Sequence, residues 1–508
     1  MPIVATVLAA LAALLTIPVG ASAHHVELPS EAQWLFGAAP QAPAPAPAGS
    51  WTPEDAADDD ASNMTLLANL GLLEWSPGSD LAFQGDMAVA GNYGGGPSKH
   101  PGGLRLIDID TPSAPRQIAD FKCPGPQADV SVWKDLAFLS VDSARSAETC
   151  TITQNGQEVF TPGAATPDFV QGKAFEGIRI ISLADPANPR QIKFVDTDCG
   201  SHTHTLVPDL ANERLLIYVL SYPLGAQAVD CSVASHRKFS IIEVPLAAPE
   251  QAKVIATPTV SPPTPGATPT IGCHDVTVFL PRKLAAAACL TESQMWDISD
   301  PAKPRIIAHI PHPPGMQISH SSQFSWDGKK LALGDEKGGA IAATGCTDAH
   351  HAPLGALWFY DISDPARPVV KGSFRIPETR YSSPCTAHNF NAIPFRNSER
   401  DVLTASWYHG GTQLIDFTDP TRPRQIGHYI ANGTAPDDLR STPWSSYFYN
   451  GNVFANNFEN GYPVDATARG FDAMSIDEDL LPPTVELDRL NPQTQLAWPG
   501  LRGSRASR

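Results

Sequence analysis

One phrase returns along this chain, and it limits the fold more than any other feature. Its clearest copy is GGTQLIDFTDPTRPRQI from Gly410, a strand that runs into an Asp-Pro turn and out into a second short strand. Further copies are GGLRLIDIDTPSAPRQI from Gly102, EGIRIISLADPANPRQI from Glu176, SQMWDISDPAKPRII from Ser293 and GALWFYDISDPARPVV from Gly355. A looser copy starts at Phe239 and a shortened one, RGFDAMSID, at Arg469. Upstream of each lies a pair of short alternating runs, such as DVSVWKDLAFLSVD from Asp129 and HSSQFSWDGKKLALGDE from His320, which read as a hairpin. One unit is therefore four strands. The equivalent positions Asp108, Ser182, Glu243, Asp297, Asp361, Asp416 and Ser475 are separated by 54 to 74 residues. That spread is too irregular for a solenoid of fixed pitch and suits blades with loops of variable length. The pattern predicts an all-β, seven-bladed β-propeller of four-stranded blades. An array of sandwiches would leave each unit to build its own core, which about 55 residues do poorly.

The ends of the repeat predict how the ring closes. The seventh unit has a third strand at 471–476 but no Asp-Pro-x-x-Pro strand after it. The segment MTLLANL from Met64 precedes the first hairpin and has fourth-strand character, so it is expected to pair onto blade seven and remove an open sheet edge. The propeller would then span 63–479, with 480–508 as an irregular tail over its bottom or side. Residues 24–62, Pro/Ala-rich and then acidic, read as a linker. Residues 1–23, apolar and ending in Ala21-Ser22-Ala23, read as a signal peptide. The expected location is secreted, extracellular or periplasmic. Eight cysteines without a C-x-x-C pair fit disulfides in such a compartment, with pairing in sequence order the simplest expectation. Cys273, beside His274, is either half of a disulfide or a further ligand.

A formal charge of -18 disfavours nucleic acid as the partner, and no later segment is apolar enough to span a membrane. The recurring Arg116, Arg190, Arg305 and Arg424 fall on outer strands, where they read as edge charges that discourage sheet-to-sheet pairing. In the third-strand position the sequence reads LRLIDID, IRIISLA, QMWDISD, LWFYDISD and TQLIDFTD. In this it resembles the LVIVD-repeat family of extracellular propellers over 63–479. The resemblance implies the fold and says little about chemistry.

Chemistry is suggested by departures from the repeat. Four units place a histidine at the entry to the innermost strand: His202 or His204 in SHTH, His274 in GCHD, His320 in ISHS and His388 in TAHN. Blades of a seven-fold ring lie about 51° apart, so four neighbouring imidazoles would converge on the channel mouth. Imidazoles without thiolate suit a transition metal such as copper, iron or zinc. Glu292, Glu336 and Glu459 follow second strands on the same face and are candidates for a catalytic base or a partner to the ligands. The layout is similar to that of carotenoid oxygenases and the selenium-binding protein/methanethiol oxidase propellers, which implies a metal-dependent oxidase or oxygenase acting on a small molecule. Their surrounding motifs are absent, so no substrate carries over.

Two readings compete with this one. WD-repeat propellers use a histidine before the first strand in a buried hydrogen-bond network with no metal, and Trp296-Asp297 has that character. A non-catalytic scaffold could also present its top loops to a protein or glycan partner. Units one, two and seven carry Ser79, Ala128 and Ser445 instead of histidine, and clustering on one arc favours a site.

Overall fold

The repeated phrase is turn chemistry. In four blades the Asp that ends the third strand accepts the backbone N–H two residues on: Asp108 from Asp110 at 3.0 Å, Asp297 from Ser299 at 2.8 Å, Asp361 from Ser363 at 2.9 Å and Asp416 from Thr418 at 3.0 Å. The Asp before the proline repeats the device, as in Asp300 to Ala302 at 3.1 Å and Asp419 to Thr421 at 3.0 Å. Two successive Asx turns with proline between them reverse the chain without a long loop. Arg116 and Arg305 reach back to Asp108 and Asp297 across this turn, and Arg424 lies 3.4 Å from Asp416. These arginines are exposed, as expected of edge charges, and the pairs add little stability in water.

A computed structural model describes residues 59–71, 77–94, 101–125, 127–145, 148–150, 153–154, 157–158, 175–222, 236–260, 272–336, 355–377, 385–431, 442–458 and 469–496. They form a seven-bladed propeller of antiparallel four-stranded sheets, with no α-helix among them. The innermost strands are Gly78–Gln84, Val130–Trp133, Thr203–Asp209, Asp275–Phe279, Ser319–Phe324, Ala387–Ala392 and Pro443–Tyr449. The core lies between blades, not within them. Phe138 and Ile180 of blade two pack with Leu206 and Ile217 of blade three, and Phe83 of blade one stacks on Tyr449 of blade seven at 4.7 Å. Both faces of most inner strands are therefore buried, which is why no single unit could stand alone.

Closure occurs as predicted. Met64–Leu70 pairs antiparallel with Phe471–Ile476 and forms the fourth strand of blade seven. Its register shifts between Leu66 and Ala68, where every other blade shows a bulge between third and fourth strands. The described residues begin at Asp59, inside the expected linker that ends at Ser62. Asp60–Ser62 pairs with the outer strand of blade six, and Asp60 lies 3.0 Å from the His428 ring. The remaining linker and the expected signal peptide lie outside the described residues.

The tail is more ordered than its sequence suggests. It meets the far ends of all seven inner strands, in ring order. Arg396 N–H of blade six donates to Pro483 at 2.7 Å, and Tyr449 Oη of blade seven donates to Leu487 at 3.0 Å. Leu490 pairs with Phe83 of blade one. The Asn491 amide brackets Val132 of blade two, accepting at 2.7 Å and donating at 2.9 Å. Thr494 donates to Leu206 of blade three at 2.7 Å and pairs beside Val278 of blade four. Gln495 brackets Phe324 of blade five at 3.1 and 3.2 Å. The histidines enter at the opposite ends of these strands, so the tail lies at the far mouth of the channel.

Candidate metal centre

Each inner strand enters the ring at one structurally equivalent residue, and blades three to six supply His202, His274, His320 and His388 there. A bulge falls at this point in blades five and six, between Ser319 and Ser321 and between Ala387 and Phe390. Bulges re-aim a side chain out of the pleat, here toward the neighbouring blade. In blade seven the equivalent residue is Trp444, one before the expected Ser445, because Ser445 Oγ donates to Ser79 as Ser321 donates to His388 and Thr203 to His274.

The four imidazoles form a continuous arc. His202 Nε2 is 2.8 Å from His274 Nε2. Ring centroids are 3.8 Å apart for His274 and His320, and 4.3 Å for His320 and His388. Glu336, leaving the second strand of blade five, bridges the arc at 3.6 Å from His320 Nε2 and 3.5 Å from His388 Nε2. One ligand atom each from His274, His320 and Glu336 fits within 4.8 Å. All five side chains are buried. The outer nitrogens are held where ligation would want them: His202 Nδ1 lies 3.2 Å from Asp142 and His388 Nδ1 is 2.6 Å from the Trp444 carbonyl. Such partners fix the ring plane and leave the other nitrogen for a metal.

Burial shapes the charges. His274 and His320 are held well below the usual imidazole range, first by loss of water and then by neighbouring imidazoles, and burial takes His388 down to about 3. His274, His320 and His388 are thus neutral at pH 7. Burial, with Asp335 alongside, pushes Glu336 up to about 8. A buried carboxyl that resists ionisation among neutral imidazoles is a site short of positive charge, and a bound cation reverses that balance.

Two expected residues are elsewhere. His204 turns away into a network between blades two and three, 2.6 Å from Ser131 Oγ, 2.8 Å from Ser140 Oγ and 2.9 Å from Asp129. It is the structural histidine of the WD-like reading, two residues from a histidine in the arc; residues two apart share a face within a strand, but His202 precedes the strand Thr203–Asp209 and escapes that rule. Glu292 opens the third strand of blade four, farther from the axis, and is held by His309 at 3.2 Å and by the Gln294 amide at 2.5 Å. Glu459 lies outside the described residues. Cys273 is bonded to Cys289 and so is no ligand; Cys123 pairs with Cys150. Cys199 and Cys385 are also disulfide-bonded, with partners outside the described residues.

Sequence reasoning passed over Asp142, which lies in the second half of the second strand of blade two, Leu136–Arg145. The mouth also has an aromatic side, of which the sequence places only Tyr408, in the loop Trp407-Tyr408-His409 of blade six. Tyr222 packs against His202 at 4.9 Å, and Tyr408 and Trp444 pack against His388 at 4.6 and 4.7 Å.

No family model and no curated protein matches the chain. Solved structures similar to it are propellers at low identity. A periplasmic gluconolactonase of Pseudomonas aeruginosa is 12% identical, covering 81% of this chain and 99% of its own, with a TM-score of 0.47. A putative 6-phosphogluconolactonase of Bacteroides fragilis is 9% identical, covering 81% and 98%, with a TM-score of 0.46. One from Bacteroides uniformis is 12% identical, covering 74% and 89%, with a TM-score of 0.45. Among the described residues no helix is long and apolar enough to cross a membrane.

Proposed function

We propose that this propeller binds a transition metal through His202, His274, His320 and His388, with Glu336 beside them, and uses it in redox chemistry on a small molecule. The observation that carries this is the convergence of four buried imidazoles and one carboxyl, each from a different strand entry or exit. A WD-like structural role accounts for His204, which has hydroxyl and carboxylate partners on both nitrogens. It does not account for the arc, where His320 Nδ1 and His388 Nε2 make no hydrogen bond among the described residues. Neutral imidazoles with one carboxylate suit copper, iron or zinc, and a metal there would polarise a bound substrate or dioxygen. The protein's own residues would orient the rings, exclude water and hold a proton on Glu336. The disulfides support an exported protein, and the third-strand phrase supports membership of the LVIVD-repeat propellers.

Elemental analysis of untagged protein after metal loading and desalting tests the binding. The wild type is expected to retain about one equivalent of metal, and a His274→Ala/His320→Ala pair to lose affinity at least 100-fold. Equal metal content in the two proteins would sink the proposal. Metal retained without turnover of any small molecule would leave a binding role in place of a redox one.

A further inference from the structure

Three of the four arc histidines follow a bonded cysteine. Cys273 stands immediately before His274 and is joined to Cys289, while Cys199 and Cys385 stand three residues before His202 and His388 and are also disulfide-bonded. All eight cysteines lie between positions 123 and 385, and blade seven, which brings Trp444 to the mouth in place of a histidine, has none. His320 is the exception, because no cysteine falls between Leu290 and His320.

His320 is reached from the neighbouring blade instead. Cys289 follows the second strand of blade four, Leu284–Ala288. The next residue, Leu290, forms a reciprocal backbone bridge with Ser319: Leu290 N–H donates to the Ser319 carbonyl at 3.1 Å, and Ser319 N–H donates back at 2.8 Å. Ser293 Oγ, from the third strand of blade four, adds a contact to Ser319 Oγ at 2.5 Å. Ser319 is the residue before His320. One short path therefore runs from His274 through Cys273, the sulfur bridge, Cys289 and Leu290 to Ser319 and His320. It yokes the two rings whose centroids are closest in the arc, at 3.8 Å.

The path carries a constraint. Blade five's own ladder is broken at His320: Ser319 pairs with Asp335 and Ser321 with Gly334, which leaves His320 with no residue opposite it. Its backbone is therefore fixed from Ser319, and Ser319 is fixed in part from blade four. Leu290 holds a φ of 59°, in a turn closed by Thr291 N–H to the Cys289 carbonyl at 2.6 Å and by Cys289 N–H to the Glu292 carbonyl at 2.8 Å. A leucine adopts that left-handed conformation only where its surroundings impose it. The sulfurs themselves are packed into the apolar core that includes Tyr218, Phe239 and Trp296.

Resting on the metal reading above, we infer that Cys273–Cys289 is a positioning element of the metal centre: it sets His274 against His320, and so the affinity and geometry of the bound ion, without touching the metal. A disulfide that only stapled the chain would act on the unfolded state, and more strongly the longer the loop it closed. Cys123–Cys150 provides the comparison. It spans 27 residues of sequence against 16, and it lies in the core shared by blades one and two, neither of which gives a histidine to the arc.

The test uses full-length oxidised protein carrying either Cys273→Ala/Cys289→Ala or Cys123→Ala/Cys150→Ala. Cobalt(II) affinity is measured against a competing chelator, the visible bands at saturating cobalt report the geometry of the ion, and urea unfolding without metal gives stability. Cys273→Ala/Cys289→Ala is expected to bind cobalt roughly tenfold more weakly, with shifted bands. Cys123→Ala/Cys150→Ala is expected to lose at least as much stability and to keep the affinity and bands of the wild type. Should the first pair fail to fold, Cys273→Val/Cys289→Ala, which refills the apolar core, takes its place with the same expectation. Wild-type affinity and bands in the folded first pair, or an equal loss of affinity in both pairs, would overturn this inference and leave metal binding intact. A wild type that takes up no cobalt would instead overturn the metal reading, and this one with it.

Discussion

A chain that begins at Gly71, lacking the closing strand, is expected to lose its folded monomer. Met64–Leu70 supplies the outer strand of blade seven, pairing with six residues from Phe471 to Ile476. Without it those residues become an open edge, a template for pairing with another chain. The loss reaches further than one ladder. Met64 is buried in the cluster shared by blades six and seven, and Asn69 donates to Asp472 at 2.7 Å. The carbonyl of Leu70 accepts from the buried Arg105 of blade one at 3.4 Å, so the same segment ties the last blade to the first. Size-exclusion chromatography with light scattering should show oligomers or aggregate, and thermal unfolding a broad, early transition. A monomer with an unchanged midpoint would show that the ring closes by some other contact.

Truncation after Asp479 is expected to destabilise the propeller by several kcal/mol without unfolding it. The tail bonds each of the seven blades once or more, and at roughly 0.5–1.5 kcal/mol net per bond the sum is large against ordinary protein stability. Its loss also opens the far mouth, so water would enter where Gln493 now lines the cavity under the histidines. A bonded ring of blades remains, which is why folding should survive where it fails without the closing strand. Urea unfolding of the two proteins gives the difference. A midpoint within error of the full chain would mean that the tail only covers the channel.

Much of this was legible because it is periodic. The blade count, the closure and the arc of His202, His274, His320 and His388 all follow from aligning one phrase with itself. What the alignment misses is set by contacts that have no local pattern. The tail reads as irregular because its partners are the ends of strands up to 359 residues away, as for Asn491 and Val132. Ser445 was placed where Trp444 stands because a bulge between Pro443 and Ser445 moves the register by one. Glu292 and Glu336 look equivalent in sequence, each near the end of a second strand. They differ in that Glu292 has already begun the third strand, whereas Glu336 is still at the strand exit facing the arc. His204 shares a dipeptide frame with His202, and only its hydroxyl and carboxylate partners separate a structural ring from a ligand. The aromatic wall comes from three blades and carries no common motif.

The central claim is that four imidazoles share one metal, and X-ray absorption at the edge of the bound metal addresses it most directly. The account predicts a first shell dominated by three or four nitrogen scatterers at about 2.0–2.1 Å, with the multiple scattering of imidazole rings, reduced in His274→Ala. An oxygen-only shell, or a spectrum identical in wild type and His274→Ala, would contradict it.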